Sequence, residues 1–226
     1  MLTLTPELLL CAYASGLFPM ANDRHDPTVH WIEPRQRGIL PLERFHQPRS
    51  LRKLVRQGRF EIRTDTAFPL VIEACAAIRP ERPRTWLNDE LIELYCQLHA
   101  LGHAHSVECW ADGRLAGGLY GVSLGAAFFG ESMFARQRDA SKVALVALVD
   151  RLLAGGYRLL DTQFVTDHLR RFGAIEVSRE TYRRELRQAI AAPAVFYSDA
   201  GEVASSTPWP AWGSSVGPSQ STTQTS

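Results

Sequence analysis

The sequence predicts an α+β protein: a small N-terminal α+β domain over residues 1–62, then a larger domain over 63–192 in which a mixed sheet is flanked by helices. Two observations predict it. Period-two segments meet at an Asp112-Gly113 hairpin turn, with Ala104–Ala111 before it and Arg114–Leu124 after it. A strand–helix–strand series follows, in which Ala126–Phe134 leads to an apolar helix over Ala140–Ala154, then to Gly155-Gly156 and a strand over Tyr157–Val165.

Each element has its own signal. Leu8-Leu9-Leu10-Cys11-Ala12 is apolar but lacks the basic start and small-residue cleavage site of a signal peptide, so it reads as the first core helix. The turn-rich Asn22–Pro27, short strands around Trp31 and Ile39, and a helix over Ser50–Gln57 complete the first domain. Helices over Phe68–Arg79 and Asp89–Gly102 precede the hairpin. The helix at 140–154 carries Val143, Leu145, Val146, Leu148, Val149 and Leu152, with Asp139 placed to cap its start. A short helix over Thr166–Phe172, a strand and a terminal helix follow. Residues 193–226 are expected to be a disordered tail, since Ser205–Ser226 is Ser, Thr, Pro and Gly with almost no apolar side chains.

Composition narrows the function. A chain of 226 residues that is 45% apolar can bury one good core. No run of about 18 apolar residues exists, so no membrane-spanning helix is expected. Cys11, Cys75, Cys96 and Cys109 are scattered without a Cys-x-x-Cys pair, which argues against a disulfide scaffold and against zinc, and fits a reduced cytoplasm. His103-Ala-His105 has the spacing of a metal pair but no evident third ligand, so no metal is expected. A net charge of +1 gives no global nucleic-acid signature. A local one exists: Arg49, Arg52, Lys53 and Arg56 fall on one helical stripe, with Arg59 just beyond. Such stripes are commonly just solvated faces.

The candidate chemistry lies between Phe128 and Gln163. Strand alternation sends Phe128, Gly130, Ser132 and Phe134 one way, and Phe129, Glu131 and Met133 the other, which sets Glu131 among apolar neighbours. A carboxylate there needs a partner or a raised pKa. Asp161 and Gln163, two apart, share a face of the next strand. Structural readings stand beside this one: Glu131 could pair with Arg136 or Lys142, Asp161 could cap a turn, and Gln163 could be a surface residue.

The order of these motifs resembles the leucyl/phenylalanyl-tRNA–protein transferase family of bacteria. Tyr13-Ala14-Ser15-Gly16-Leu17-Phe18-Pro19-Met20, Trp31-Ile32-Glu33-Pro34-Arg35, Thr85-Trp86, Gly102–Trp110, Gly117–Gly121, Gly130-Glu131-Ser132-Met133-Phe134 and His168-Leu169 carry the resemblance, which spans roughly residues 7 to 187. One departure is Thr162, where Cys is expected; alternation turns that side chain away from the site.

The resemblance implies a GCN5-related N-acyltransferase-like fold and transfer of Leu or Phe, less readily Met, from aminoacyl-tRNA to proteins with N-terminal Arg or Lys, marking them for degradation. Leucyl-tRNA and phenylalanyl-tRNA would be the donor partners, with no cofactor, in a cytoplasmic monomer. It implies a proton relay at Asp161 and Gln163, with Glu131 holding the aminoacyl group or the terminal ribose. Leu119, Met133, Leu148, Leu152 and Phe128 would form the aminoacyl pocket, and Trp31 and Trp110 would contact the 3′ adenosine. Arg49, Arg52, Lys53, Arg56 and Arg59 would meet the tRNA backbone. The rival within the fold, an acetyl-coenzyme A enzyme, is disfavoured by Asp139, which would repel pyrophosphate at the helix start. A non-catalytic RNA-binding module would leave Glu131, Asp161 and Gln163 without a purpose.

Overall fold

A computed structural model describes residues 4–78 and 83–197. Helix α1 (Pro6–Ala14) begins behind Thr5, whose hydroxyl accepts the Leu8 N–H, and carries Pro6 in its first turn. Strands β1 (Phe18–Ala21) and β2 (Val29–Ile32) form a separate antiparallel pair. Next come β3 (Gln36–Ile39), a single 3-10 turn at Leu42–Arg44, α2 (Arg49–Arg56), β4 (Glu61–Thr64) and α3 (Phe68–Ala76). Helix α4 (Asp89–Ala100), capped by the Asn88 side chain, leads to β5 (Ala104–Ala111), β6 (Arg114–Leu124) and β7 (Ala127–Ala135). The described chain closes with α5 (Ala140–Ala154), β8 (Leu159–Gln163), α6 (Asp167–Arg170), β9 (Ile175–Ser178) and α7 (Arg179–Ile190).

The main sheet runs β4-β5-β6-β7-β8-β3-β9, antiparallel except where β7 meets β8. Helices α1, α3, α4 and α7 pack on one face around Tyr13, Phe68, Ile72, Tyr95, Tyr120 and Tyr182. Helices α2 and α5 cover the other, through Leu51, Leu145, Leu148, Leu152 and Phe128. This is the mixed, helix-flanked α+β fold that the sequence predicts. Among the described residues no helix is long and apolar enough to cross a membrane.

Several details differ from the expectations. Strand β3 lies within residues 1–62, yet it is hydrogen-bonded between β8 and β9, so the main sheet runs across the expected boundary at 62. Its insertion pairs the β8 edge that β7 leaves open. Helix α3 ends at Ala76, and β8 is shorter than Tyr157–Val165 because a turn with Gln163 at φ +58° ends it. Asp139 makes no side-chain cap: it sits at φ +68°, its carbonyl accepts the Lys142 and Val143 N–H at 3.0 Å each, and its carboxylate turns to the Lys142 ammonium. Of the expected tail, the described residues 193–197 are anchored by Phe196, only 5% exposed against His105, Phe128 and Tyr157, while Val195 is exposed; residues 198–226 lie outside the described ones.

A β-bulge changes the facing of β7. Gly121 pairs with Gly130 but Tyr120 pairs with Ser132, which leaves Glu131 as the extra residue. Alternation resets there. Phe128 and Met133 therefore share the α5 face, and Phe129, Glu131 and Phe134 turn toward α1 and α4. Only Gly fits at 121, since a Cβ there would lie 2.3 Å from the Phe129 carbonyl oxygen and 2.4 Å from the Phe128 ring.

Candidate active site

The site begins where two strands part. β7 and β8 pair through Ala127↔Leu159, Phe128↔Leu160 and Phe129↔Asp161, and no further. Beyond that point β7 continues beside β6, and β8 is held by β3. The gap opens into a cavity of about 340 Å³, within the range of small-ligand sites. Its walls are mostly apolar, with Leu119, Met133, Leu145 and Leu148 on the α5 side and Phe18, Trp86 and Phe164 elsewhere. Glu131 is the one carboxylate among its lining residues.

Three side chains hold Glu131. The Tyr13 phenol donates to Oε1 at 2.7 Å, the Tyr95 phenol to Oε2 at 3.1 Å, and the Gln163 amide Nε2 to Oε1 at 2.9 Å. The two phenol oxygens are also 2.6 Å apart. Two phenols carry two protons for the three close contacts of this triangle, so all three are satisfied at once only when Glu131 is protonated and donates to one phenol, which then donates to the other. Burial pushes the Glu131 carboxyl up to about 7, with the Tyr13 hydrogen bond opposing the rise and the Asp161 charge adding to it. Burial, and then the Glu131 charge, raise the Tyr13 and Tyr95 phenols well above their usual range, so both remain donors. The structural alternative for Glu131 is not what forms: Lys142 pairs with Asp139, and Arg136 donates to the Leu115 carbonyl.

Asp161 has a different environment. It is fully buried and accepts Arg37 Nε at 3.0 and 3.2 Å, Arg37 Nη2 at 2.6 Å, the Tyr182 phenol at 2.6 Å and the Gln163 backbone N–H at 2.8 Å. The relay expected between Asp161 and the Gln163 side chain is therefore not the contact that forms. Asp161 binds the Gln163 backbone, and the Gln163 amide reaches Glu131.

The other expected residues divide. Leu119, Met133 and Leu148 line the cavity, whereas Leu152 and Phe128 are buried behind it, Phe128 stacked on Phe196. Thr162 lies on the strand face opposite Asp161 as expected, yet it lines the cavity, because the opening between β7 and β8 exposes both faces of β8. Neither Trp31 nor Trp110 lines the cavity: Trp31 is on β2, and Trp110 donates to Glu108 at 2.9 Å beneath the Arg63 guanidinium. Trp86 does, on a loop tied to β1 by the Ala21 N–H donating to the Trp86 carbonyl at 2.9 Å. Arg49, Arg52, Lys53, Arg56 and Arg59 are all exposed on or just after α2, and Arg59 touches Gln137 in the turn before α5. His105 is paired with Asp65 at 2.7 Å, and no cluster that could hold a metal occurs among the described residues.

Sequence reasoning missed Tyr13, Tyr95, Arg37, Tyr182 and the role of Trp86. Tyr13 and Trp86 did lie in recognised motifs. Arg37, Tyr95 and Tyr182 carried no local signal, since each meets the site only through tertiary contact.

A mixed open sheet flanked by helices, with an apolar cavity and a buried carboxylate where two strands part, is consistent with an acyltransferase-like fold. Comparison with known proteins makes this specific. The family model described as leucyl/phenylalanyl-tRNA protein transferase matches residues 39–187, and the model of that enzyme's N-terminal domain matches residues 3–35. A leucyl/phenylalanyl-tRNA–protein transferase of Paramagnetospirillum magneticum is 60% identical over 193 residues, covering 85% of this chain and 92% of that one. Those of Nitrobacter winogradskyi and Caulobacter vibrioides are 61% and 58% identical over the same share of this chain, covering 86% and 89% of their own. The chain belongs to the leucyl/phenylalanyl-tRNA–protein transferase family and is an aminoacyltransferase.

Proposed function

We propose that this chain transfers Leu or Phe, less readily Met, from tRNA to the α-amine of proteins bearing N-terminal Arg or Lys, which marks them for degradation. The observation that carries this reading is the buried Glu131 carboxyl lining an apolar cavity with the Gln163 amide donating to it. The donor ester is already activated, so the reaction draws on positioning and on one proton acceptor, with no cofactor. An N-terminal α-amine has a pKa of about 7.7–8.0. Glu131, titrating near 7, is matched to take its proton. Donation of Nε2 to Glu131 leaves the Gln163 carbonyl oxygen as the end that can accept the amine N–H, which aligns the nucleophile. Asp161, saturated by donors, orients the Gln163 backbone.

Leu119, Met133, Leu145 and Leu148 would receive the donor side chain. Such a pocket separates side chains that differ by a methylene only about 10–200-fold, so Leu, Phe and Met overlap. Trp86, half-buried on the cavity wall, is the ring available to stack on the 3′ adenine, a contact worth about 1–3 kcal/mol. The α2 stripe would carry tRNA phosphates.

The test is transfer of labelled leucine from leucyl-tRNA to an Arg-N-terminal peptide, with acetyl-coenzyme A and a Glu-N-terminal peptide as controls. Labelling of the Arg peptide from leucyl-tRNA alone is expected. Acetylation without leucyl transfer would overturn the reading.

A further inference from the structure

Arg37 is a guanidinium buried to 1% exposure. Its Nε and Nη2 form a fork on the Asp161 carboxylate, and Nη1 donates to the Gly16 carbonyl at 2.9 Å. Its central carbon lies 4.5 Å from both the Phe18 and Tyr182 ring centroids, and the Tyr182 phenol donates to the same carboxylate. A buried ion pair of this kind is weak evidence for stability, because well-packed apolar residues commonly serve as well or better. What distinguishes this pair is its next contact. Asp161 Oδ1 accepts the backbone N–H of Gln163, the residue at φ +58° whose side chain donates to Glu131. An L-residue keeps such a conformation only where its surroundings over-determine it. Relaxed to extended backbone, Gln163 would no longer present its amide to Glu131.

We propose that Arg37 is a positioning residue of the transfer reaction: acting through Asp161, it holds Gln163 in its left-handed conformation with the side-chain amide on Glu131. This role rests on the reaction proposed above. Lysine would not serve, since one ammonium cannot reproduce two parallel donors in a plane. Arg37→Lys therefore keeps the charge and removes the fork. Tyr182→Phe removes a single oxygen from the same clamp.

The experiment measures kcat and KM for leucyl-tRNA and for an Arg-N-terminal peptide, together with the pH dependence of kcat, in the parent, Arg37→Lys and Tyr182→Phe. Arg37→Lys should lower kcat by about tenfold or more, the scale of a misplaced catalytic group, with both KM values within about twofold of the parent. Tyr182→Phe should lower kcat by about three- to tenfold, the scale of one lost hydrogen bond. Both should move the rising limb of the pH profile to higher pH, because a Glu131 that loses its amide donor ionises less readily. A merely structural Arg37 would lower the melting temperature and leave kcat per folded molecule and the pH profile unchanged, which would overturn the proposal. If Arg37→Lys does not fold, Tyr182→Phe decides alone, and parental kcat and pH profile in that variant would overturn it. A parent inert toward leucyl-tRNA overturns the reaction and this role with it; an active parent with unaffected variants overturns only the role of Arg37.

Discussion

At Glu131, the burial that suits the carboxyl for catalysis also works against the fold. Between pH 4.5 and about 7 the unfolded chain has released this proton and the folded chain still holds it. Stability therefore falls as pH rises through that window and levels off above it. A rise from 4.5 to about 7 corresponds to roughly 3 kcal/mol. Glu131→Gln should flatten this dependence, seen as a smaller difference between urea unfolding free energies at pH 5 and pH 8 than in the parent. In the transfer assay the same variant should lose about 10²-fold or more in rate, and the limb of the pH profile near 7 should vanish. A Glu131→Gln protein with near-parental turnover would remove Glu131 from the chemistry.

At the scale of elements, the bulge in β7 and the exposed face of α2 are separable. Gly121→Ala would drive a methyl into the Phe129 carbonyl and the Phe128 ring, and should cost at least about 2 kcal/mol in chemical denaturation. Reversing Arg52, Lys53 and Arg56 to Glu should leave the fold intact, because all three side chains are exposed. It should weaken tRNA binding and flatten its salt dependence by about one unit of log–log slope per lost phosphate contact. Filter binding over a salt series measures both.

These two elements also show what a sequence can disclose. The helix at 140–154 was legible to the residue, because its apolar spacing and Gly155-Gly156 are local signals. Asp161 and Gln163 on one side of β8 were legible by alternation, as was the basic stripe by helical spacing. The bulge was not, since one inserted residue is defined only by the partner strand, and it sent Met133 to the opposite face from Glu131. Arg37 and its clamp were invisible for the same reason: Arg37 and Asp161 are 124 positions apart.

Across the whole molecule, the segment after α7 matters more than its composition suggests. Phe196 stacks on His105 at 3.9 Å and on Phe128 at 5.6 Å, bracing the α5 face of the sheet behind the cavity. Phe196→Ala should cost about 3 kcal/mol or more, as aromatic truncations in cores do, and thermal unfolding would report it. The insertion of β3 between β8 and β9 bears on how the protein comes into being. During synthesis, Glu131 and both its tyrosines leave the ribosome before the strand that carries Asp161. Arg37 must wait for that strand across 124 residues, about 6–25 s at elongation rates of roughly 5–20 residues per second. Until then the β3 segment has no place in the sheet, and a nascent or prematurely released chain holds the carboxylate without the clamp. The pairing of Arg37 with Asp161 is thus among the last contacts the growing chain can make around Glu131.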